Sequence, residues 1–168
     1  MSMTKRTFAL AFLLLAQVAV LGQDAIRVRV TSIVDGDTIN VRDPRGRTAT
    51  VWIDGIAAPE HRQAYAARSR YSLRGLVSMR TIYVYPRTME GGRIVGRVML
   101  GDLDIGLEQL RRGMAWYDDA AGFDDARDRA AYADAEASAR KEGLGLWQAE
   151  HPVPPWDYRR GRRSTGLE

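Results

Sequence analysis

The tetrapeptide Asp35-Gly36-Asp37-Thr38 stands between two runs whose apolar residues recur at every second position. Ile26, Val28 and Val30 alternate with Arg27, Arg29 and Thr31 before it, and Ile39 and Val41 follow it. A period of two turns one face of a strand inward and the other to water. A short acidic, glycine-containing turn between two such runs is a hairpin signal. A lone hairpin is not stable in water, so the rest of the chain must supply strands or helices to cover its apolar face. Asp43-Pro44-Arg45-Gly46 is a second turn, with proline at its second position. The segment 48–56 is rich in β-branched residues and reads as a third strand. Segments 81–85 and 94–100 give two more.

Helical signals fill the remainder. Tyr65, Leu73, Leu76 and Val77 recur at helical spacing within 64–79. Asp104 is placed to cap a short helix holding Leu107 and Leu110, which Gly113 ends. Asp124 is placed to cap an alanine-rich helix running to about Glu142, with Gly143 at its end. Five strands and about three helices predict an α+β fold, a small antiparallel β-barrel of the OB type.

A chain of 168 residues is long enough for one domain with a real core. No internal repeat divides it. The absence of cysteine excludes disulfides, zinc–thiolate sites and thiol catalysis. Lys5 and Arg6 precede an apolar stretch over 7–21 that is short for a membrane span of about 20 residues. Val20-Leu21-Gly22 supplies a small residue before Gln23. The expectation is a signal peptide over 1–22, a folded domain over 23–160 and a basic disordered tail over 161–168. The protein is then secreted or periplasmic, with no stable membrane association after cleavage. The competing reading of the first segment is an uncleaved anchor.

The formal charge is +4, and +2 once Lys5 and Arg6 are set aside. That balance alone does not argue for a nucleic-acid partner. Arg159, Arg160, Arg162 and Arg163 gather near the end, which suits phosphate attraction or simply a solubilising tail.

The Asp35-Gly36-Asp37-Thr38 turn, the run Val51-Trp52-Ile53-Asp54-Gly55-Ile56-Ala57-Ala58-Pro59-Glu60 and the later Gly92-Arg93 together resemble the staphylococcal nuclease (thermonuclease) family. The resemblance continues through 107–116, 135–147 and Pro154-Pro155-Trp156, which is similar to a tail of secreted bacterial members. It implies an OB-fold, calcium, and cleavage of DNA or RNA. It implies that Asp37 holds the metal, that Ala58 offers it a backbone carbonyl, that Glu60 handles the attacking water and that Arg93 holds phosphate. Two positions depart from the family pattern. Trp52 stands where the family has a phosphate-binding arginine, and Ala57 where it has a second metal-binding aspartate. Tryptophan has one donor and no charge, and alanine removes a charged ligand.

Strand alternation puts Asp54 on the same face as Trp52, either as a relocated metal carboxylate or as an acid on a solvated rim. Asp118, Asp119, Asp124 and Asp125 do not have the spacing of a calcium loop and read as a solvated acidic loop. His61 and His151 stand alone, and Arg97 reads as a surface or core-edge residue. Tyr83, Tyr85, Trp116, Tyr117 and Phe123 have the chemistry to stack bases, although aromatics near strand ends more often belong to the core. Two functional readings stay open. One is a calcium-dependent nuclease weakened at Trp52 and Ala57. The other is a non-catalytic module that binds nucleic acid weakly, or a protein partner.

Overall fold

A computed structural model describes residues 24–164 except Gly122 and Asp124. The segment read as a signal peptide lies outside the described residues, as does Asp124.

The barrel strands are β1 (Ile26–Ile33), β2 (Thr38–Arg42), β3 (Thr48–Ile53), β5 (Thr81–Glu90) and β6 (Arg93–Leu100). They lie in the order β3-β2-β1-β5-β6, and β3 also pairs with β6, which closes the sheet into a five-stranded barrel. The closing ladder is parallel, running from Thr50 opposite Arg93 to Ile53 opposite Gly96. The barrel is therefore not wholly antiparallel. The short strand β7 (Leu103–Asp104) extends β6, and β4 (Ile56–Ala57) pairs with β8 (Trp116–Tyr117).

Period-two alternation decides which residues fill the barrel. Val28, Val30, Ile39, Val41, Val51, Ile53, Ile82, Val84, Ile94 and Val98 are buried in one core. Helix α1 (Ala66–Val77) adds Leu73, Leu76 and Val77, and α2 (Ile105–Arg111) adds Ile105 and Leu110. Helix α3 (Ala126–Lys141) adds Tyr132 and Ala135. Asp104 caps α2 by accepting from the Leu107 N–H at 3.1 Å. Asp125 caps α3 by accepting from the Arg127 N–H at 2.8 Å.

Two sequence expectations change. The segment 48–56 is broken at Asp54-Gly55, where Gly55 has φ 78°. A side chain on Gly55 would collide with the Phe123 ring, so the chain turns there and starts β4 in a second small sheet. The fold also has a fourth helix, α4 (Pro155–Ser164). Proline suits the first helical position, because its missing N–H would have no partner there. Residues 161–164, expected in the tail, continue this helix.

Candidate active site

The turn between β1 and β2 is held from several directions. Val34 N–H donates to Thr38 O at 2.9 Å, and Ile53 N–H donates to Asp37 O at 2.8 Å. Gly36 has no room for a side chain, since a Cβ there would lie 1.8 Å from Ser69 Oγ. The fully buried Gln109 donates from Nε2 to Gly36 O at 2.8 Å and to Ser69 O at 3.3 Å, and accepts from Ser72 Oγ at 2.7 Å. One amide thus ties the acidic turn to α1 and α2. Asp37 owes its position to this support.

Both oxygens of Asp37 already have donors. Thr38 Oγ1 donates to Oδ1 at 2.7 Å, and the Ala58 N–H donates to Oδ2 at 2.6 Å. Asp37 and Ala58 are therefore brought together, as expected. Burial, followed by repulsion from Asp35, pushes the Asp37 carboxyl up to about 7 from its ordinary 3.8.

A folded value above the unfolded one means that the native state holds the proton more tightly. This group's contribution to stability is full below about pH 4 and is lost as pH rises to about 7. In calcium-free buffer, Asp37→Asn is expected to shift the unfolding free energy at pH 8 by ~2–4 kcal/mol in the stabilising direction relative to its effect at pH 4, where the lost acceptor is felt alone. Thermal melts in chelator at the two pH values check this. An equal shift at both would refute a proton held by burial.

Trp52 sits opposite Thr38 of β2 on one side and opposite Val95 of β6 on the other. Its half-buried indole faces outward between core residues Val51 and Ile53. The Arg93 guanidinium lies over the ring, with Cζ 5.8 Å from the ring centroid. Such a contact is worth about 0.5–1 kcal/mol at an exposed site. Arg93 and Trp52 thus form one flat cationic surface beside the Asp37 turn.

Glu60 occupies a second turn. Its N–H donates to Gln63 Oε1 at 3.0 Å, and Gln63 N–H donates back to Glu60 O at 2.8 Å. Gln63 Nε2 donates to Val153 O just before α4, and Arg159 of α4 donates to the Glu60 carboxylate. The residue expected to handle water is thus ion-paired to the C-terminal helix. No local sequence signal joins residues 60 and 159. Pro155 at the first helical position and Asp157 in the first turn are the local signals that could have marked α4.

Asp54 does not extend the strand alternation, because it lies in the turn after β3. It is buried, and Arg87 reaches across from β5 to grip it, with Nε 2.7 Å from Oδ2 and Nη2 3.0 Å from Oδ1. Arg97 likewise bridges Asp104 at 2.6 Å and Asp128 at 2.9 Å. Trp116 is buried, whereas Tyr83 and Tyr85 stand in solvent.

Residues 40–149 match the family described as Staphylococcal nuclease homologue. The chain belongs to this family. It is 33% identical over 136 residues to an uncharacterized endonuclease of Escherichia coli, covering 80% of this chain and 85% of that protein. It is 32% identical over 178 residues to Protein ParB of Escherichia coli, covering 98% and 97% of the two chains. It is 31% identical over 150 residues to Micrococcal nuclease of Shigella flexneri, covering 83% of each.

The staphylococcal nuclease resemblance implies calcium, which takes about 6–8 oxygen ligands and favours carboxylates. The donor set of this homologue does not fit that ion. Among the described residues, no group of three or more His, Asp or Glu is placed to hold a metal. Asp37 already accepts from two protein donors, one on each oxygen. Both oxygens of Asp54 are on Arg87, and Ala57 has no ligand to give.

Proposed function

We propose that this chain acts on nucleic acid as a nuclease-family protein with impaired phosphodiester cleavage. The relatives named as nucleases support the substrate class. The observation that carries the impairment is the indole of Trp52 lying under Arg93, between Thr38 and Val95. An arginine at that place grips phosphate through two parallel donors, whereas indole has one donor and no charge. What remains is Arg93 as a phosphate contact and Trp52 as a surface on which a base can stack. Glu60 is the group for positioning water, and to do so it must leave Arg159.

The loss of one preorganised donor costs about 10²–10³ in rate, and loss of a phosphate-directed arginine about 10³–10⁵. The test is incubation of the purified chain with DNA and with RNA, in calcium and in chelator. The expected result is binding with measurable cleavage far slower than that of a relative carrying the arginine and the aspartate. Chelator-sensitive turnover equal to that of a relative carrying the arginine and the aspartate would overturn the proposal. A wholly non-catalytic module is the second reading, favoured by the Glu60–Arg159 ion pair. It holds only if no cleavage is seen above a no-protein control.

We further propose export, with the mature chain beginning at Gln23, on the pattern of residues 5–22. N-terminal sequencing of the exported protein checks this, and recovery of Met1 would refute it.

A further inference from the structure

We propose that Arg27, Arg29 and Arg42, with Tyr83 beside them, form a second contact surface for the phosphate backbone of a single-stranded nucleic acid, away from the Asp37–Arg93 site. This deepens the nucleic-acid reading above and rests on it.

Arg27 and Arg29 point outward because Val28 and Val30, with which they alternate, are buried. Arg42 points outward by the same rule beside buried Val41. The register places Arg29 directly opposite Arg42. Like charges facing each other across a ladder are destabilising. Among the described residues, none of the three makes an ion pair. The nearest acid in the groove is Asp43, which is committed to Arg47 and to the N–H groups of Arg45 and Arg47.

These side chains line a groove of about 380 Å³ with Thr31, Pro44 and Thr81. Along β1, Arg27 and Arg29 stand two residues apart, about 6.8 Å. Arg27 is opposite Tyr83 on the other side, and the Tyr83 ring is 42% exposed. Unpaired cations beside an exposed flat aromatic recur in surfaces that track a single strand: guanidinium meets phosphate and the ring takes an unstacked base. A duplex keeps its bases stacked away from the tyrosine, and an anionic membrane offers no base at all.

The outer face of β2 joins this surface to the candidate site. Thr38, buried opposite the half-buried Trp52, and exposed Arg42 lie at its two ends, roughly 13 Å apart along the strand. Between them Asn40 accepts from Thr50 Oγ1 at 2.9 Å and donates to Ser32 Oγ at 2.9 Å, so the path is polar. A strand long enough to touch both places spans several nucleotides. The contribution of the arginines must therefore depend on substrate length.

The experiment is fluorescence anisotropy of a labelled 20-nucleotide single-stranded DNA and of a three-nucleotide one, in chelator, across a salt series. The triple variant Arg27→Gln/Arg29→Gln/Arg42→Gln is compared with wild type and with Arg68→Gln/Arg74→Gln/Arg111→Gln, which removes the same charge from the helices. The first variant is expected to weaken binding of the 20-mer at least about tenfold and to lower its salt slope by about 2, from three lost contacts at ~0.7 each. Affinity for the three-nucleotide probe should not change. Its melting temperature should equal or exceed that of wild type, because the Arg29–Arg42 repulsion is gone. Tyr83→Ala should weaken the 20-mer further while leaving the salt slope alone. Should the triple variant fail to fold, the single Arg29→Gln change carries the same test with about one third of the slope change.

Equal weakening by the helical control, unchanged 20-mer affinity, or selective loss of binding to phosphatidylglycerol vesicles would each overturn the proposal. Cleavage by wild type together with unchanged affinity of the patch variant sinks this surface and spares the nuclease reading. Binding lost in the patch variant, with no cleavage by wild type, does the reverse. A wild type that binds no oligonucleotide even at low salt sinks both.

Discussion

A chain carrying both Trp52→Arg and Ala57→Asp is expected to cleave DNA in calcium about 10²–10³-fold faster than wild type. The backbone at residue 52 lies between Thr38 and Val95, and its side chain touches Arg93, so a guanidinium there adds a second positive donor beside that residue. Residue 57 precedes Ala58, whose N–H already reaches Asp37, so a carboxylate at 57 arrives on the rim of the same turn. The second carboxylate raises the charge available to calcium, and a bound cation in turn draws the Asp37 proton off. Each change alone should give much less, because arginine and metal act on the same phosphate and their effects do not add. Initial rates in calcium and in chelator measure the gain, and titration calorimetry with calcium reads the metal directly. Loss of the half-buried indole costs some packing, so the melting temperature is followed alongside. A double variant that folds, binds calcium and gains no cleavage would show that Glu60 and Arg93 are not placed for this chemistry. The binding-module reading would then stand.

The second large effect is on stability. Gln109→Leu keeps the size of the side chain and removes its donors and acceptor. Gly36 O then loses its partner in a buried site, Ser69 O loses a second one, and the half-buried Ser72 Oγ loses its acceptor. Each buried group left unsatisfied costs about 1–3 kcal/mol, so the expected loss is ~2–4 kcal/mol. In a chain of this length that is a fall of about 5–15 °C in Tm. The effect should also be local. The Val34 amide, which donates across the turn to Thr38 O, should exchange faster with solvent while the Val84 amide in β5 keeps its protection. A variant that melts like wild type would mean that the acidic turn is held by the barrel alone.

The barrel was legible because its signal is local and repeated. Alternation in 26–33, 38–42 and 94–100 follows directly from one face meeting the core. Asp104 and Gly113 punctuate α2 because caps and left-handed positions have narrow residue preferences. The resemblance pointed to Asp37 and Ala58, and the two do meet, through the Ala58 N–H rather than its carbonyl. What the sequence did not show are pairings between distant parts of the chain. Asp54 reads as a free carboxylate until Arg87, on another strand, is found holding it. Glu60 reads as available until α4 arrives with Arg159. The helix at 155–164 was hidden by arginines that look like a solvated tail. Its proline start was visible, but its docking through Gln63 and Glu60 was not. The run 48–56 reads as one strand because nothing nearby in sequence says that a Phe123 ring forbids a side chain at Gly55.

The parallel seam between β3 and β6 bears on how the site comes into existence. β3 is joined to β2 by a short turn, and β6 to β5 by another, so these ladders need little loop closure. The seam joins Thr50 to Arg93 and Trp52 to Val95, and closing so long a loop must be compensated by contacts made elsewhere first. Trp52 and Arg93 meet only across that seam. The surface they form, proposed above to take nucleic acid, is therefore a property of the closed barrel and of no smaller part of it. A strand bound across the two residues, as proposed above, would bridge that seam and so bind the closed barrel in preference to the open one.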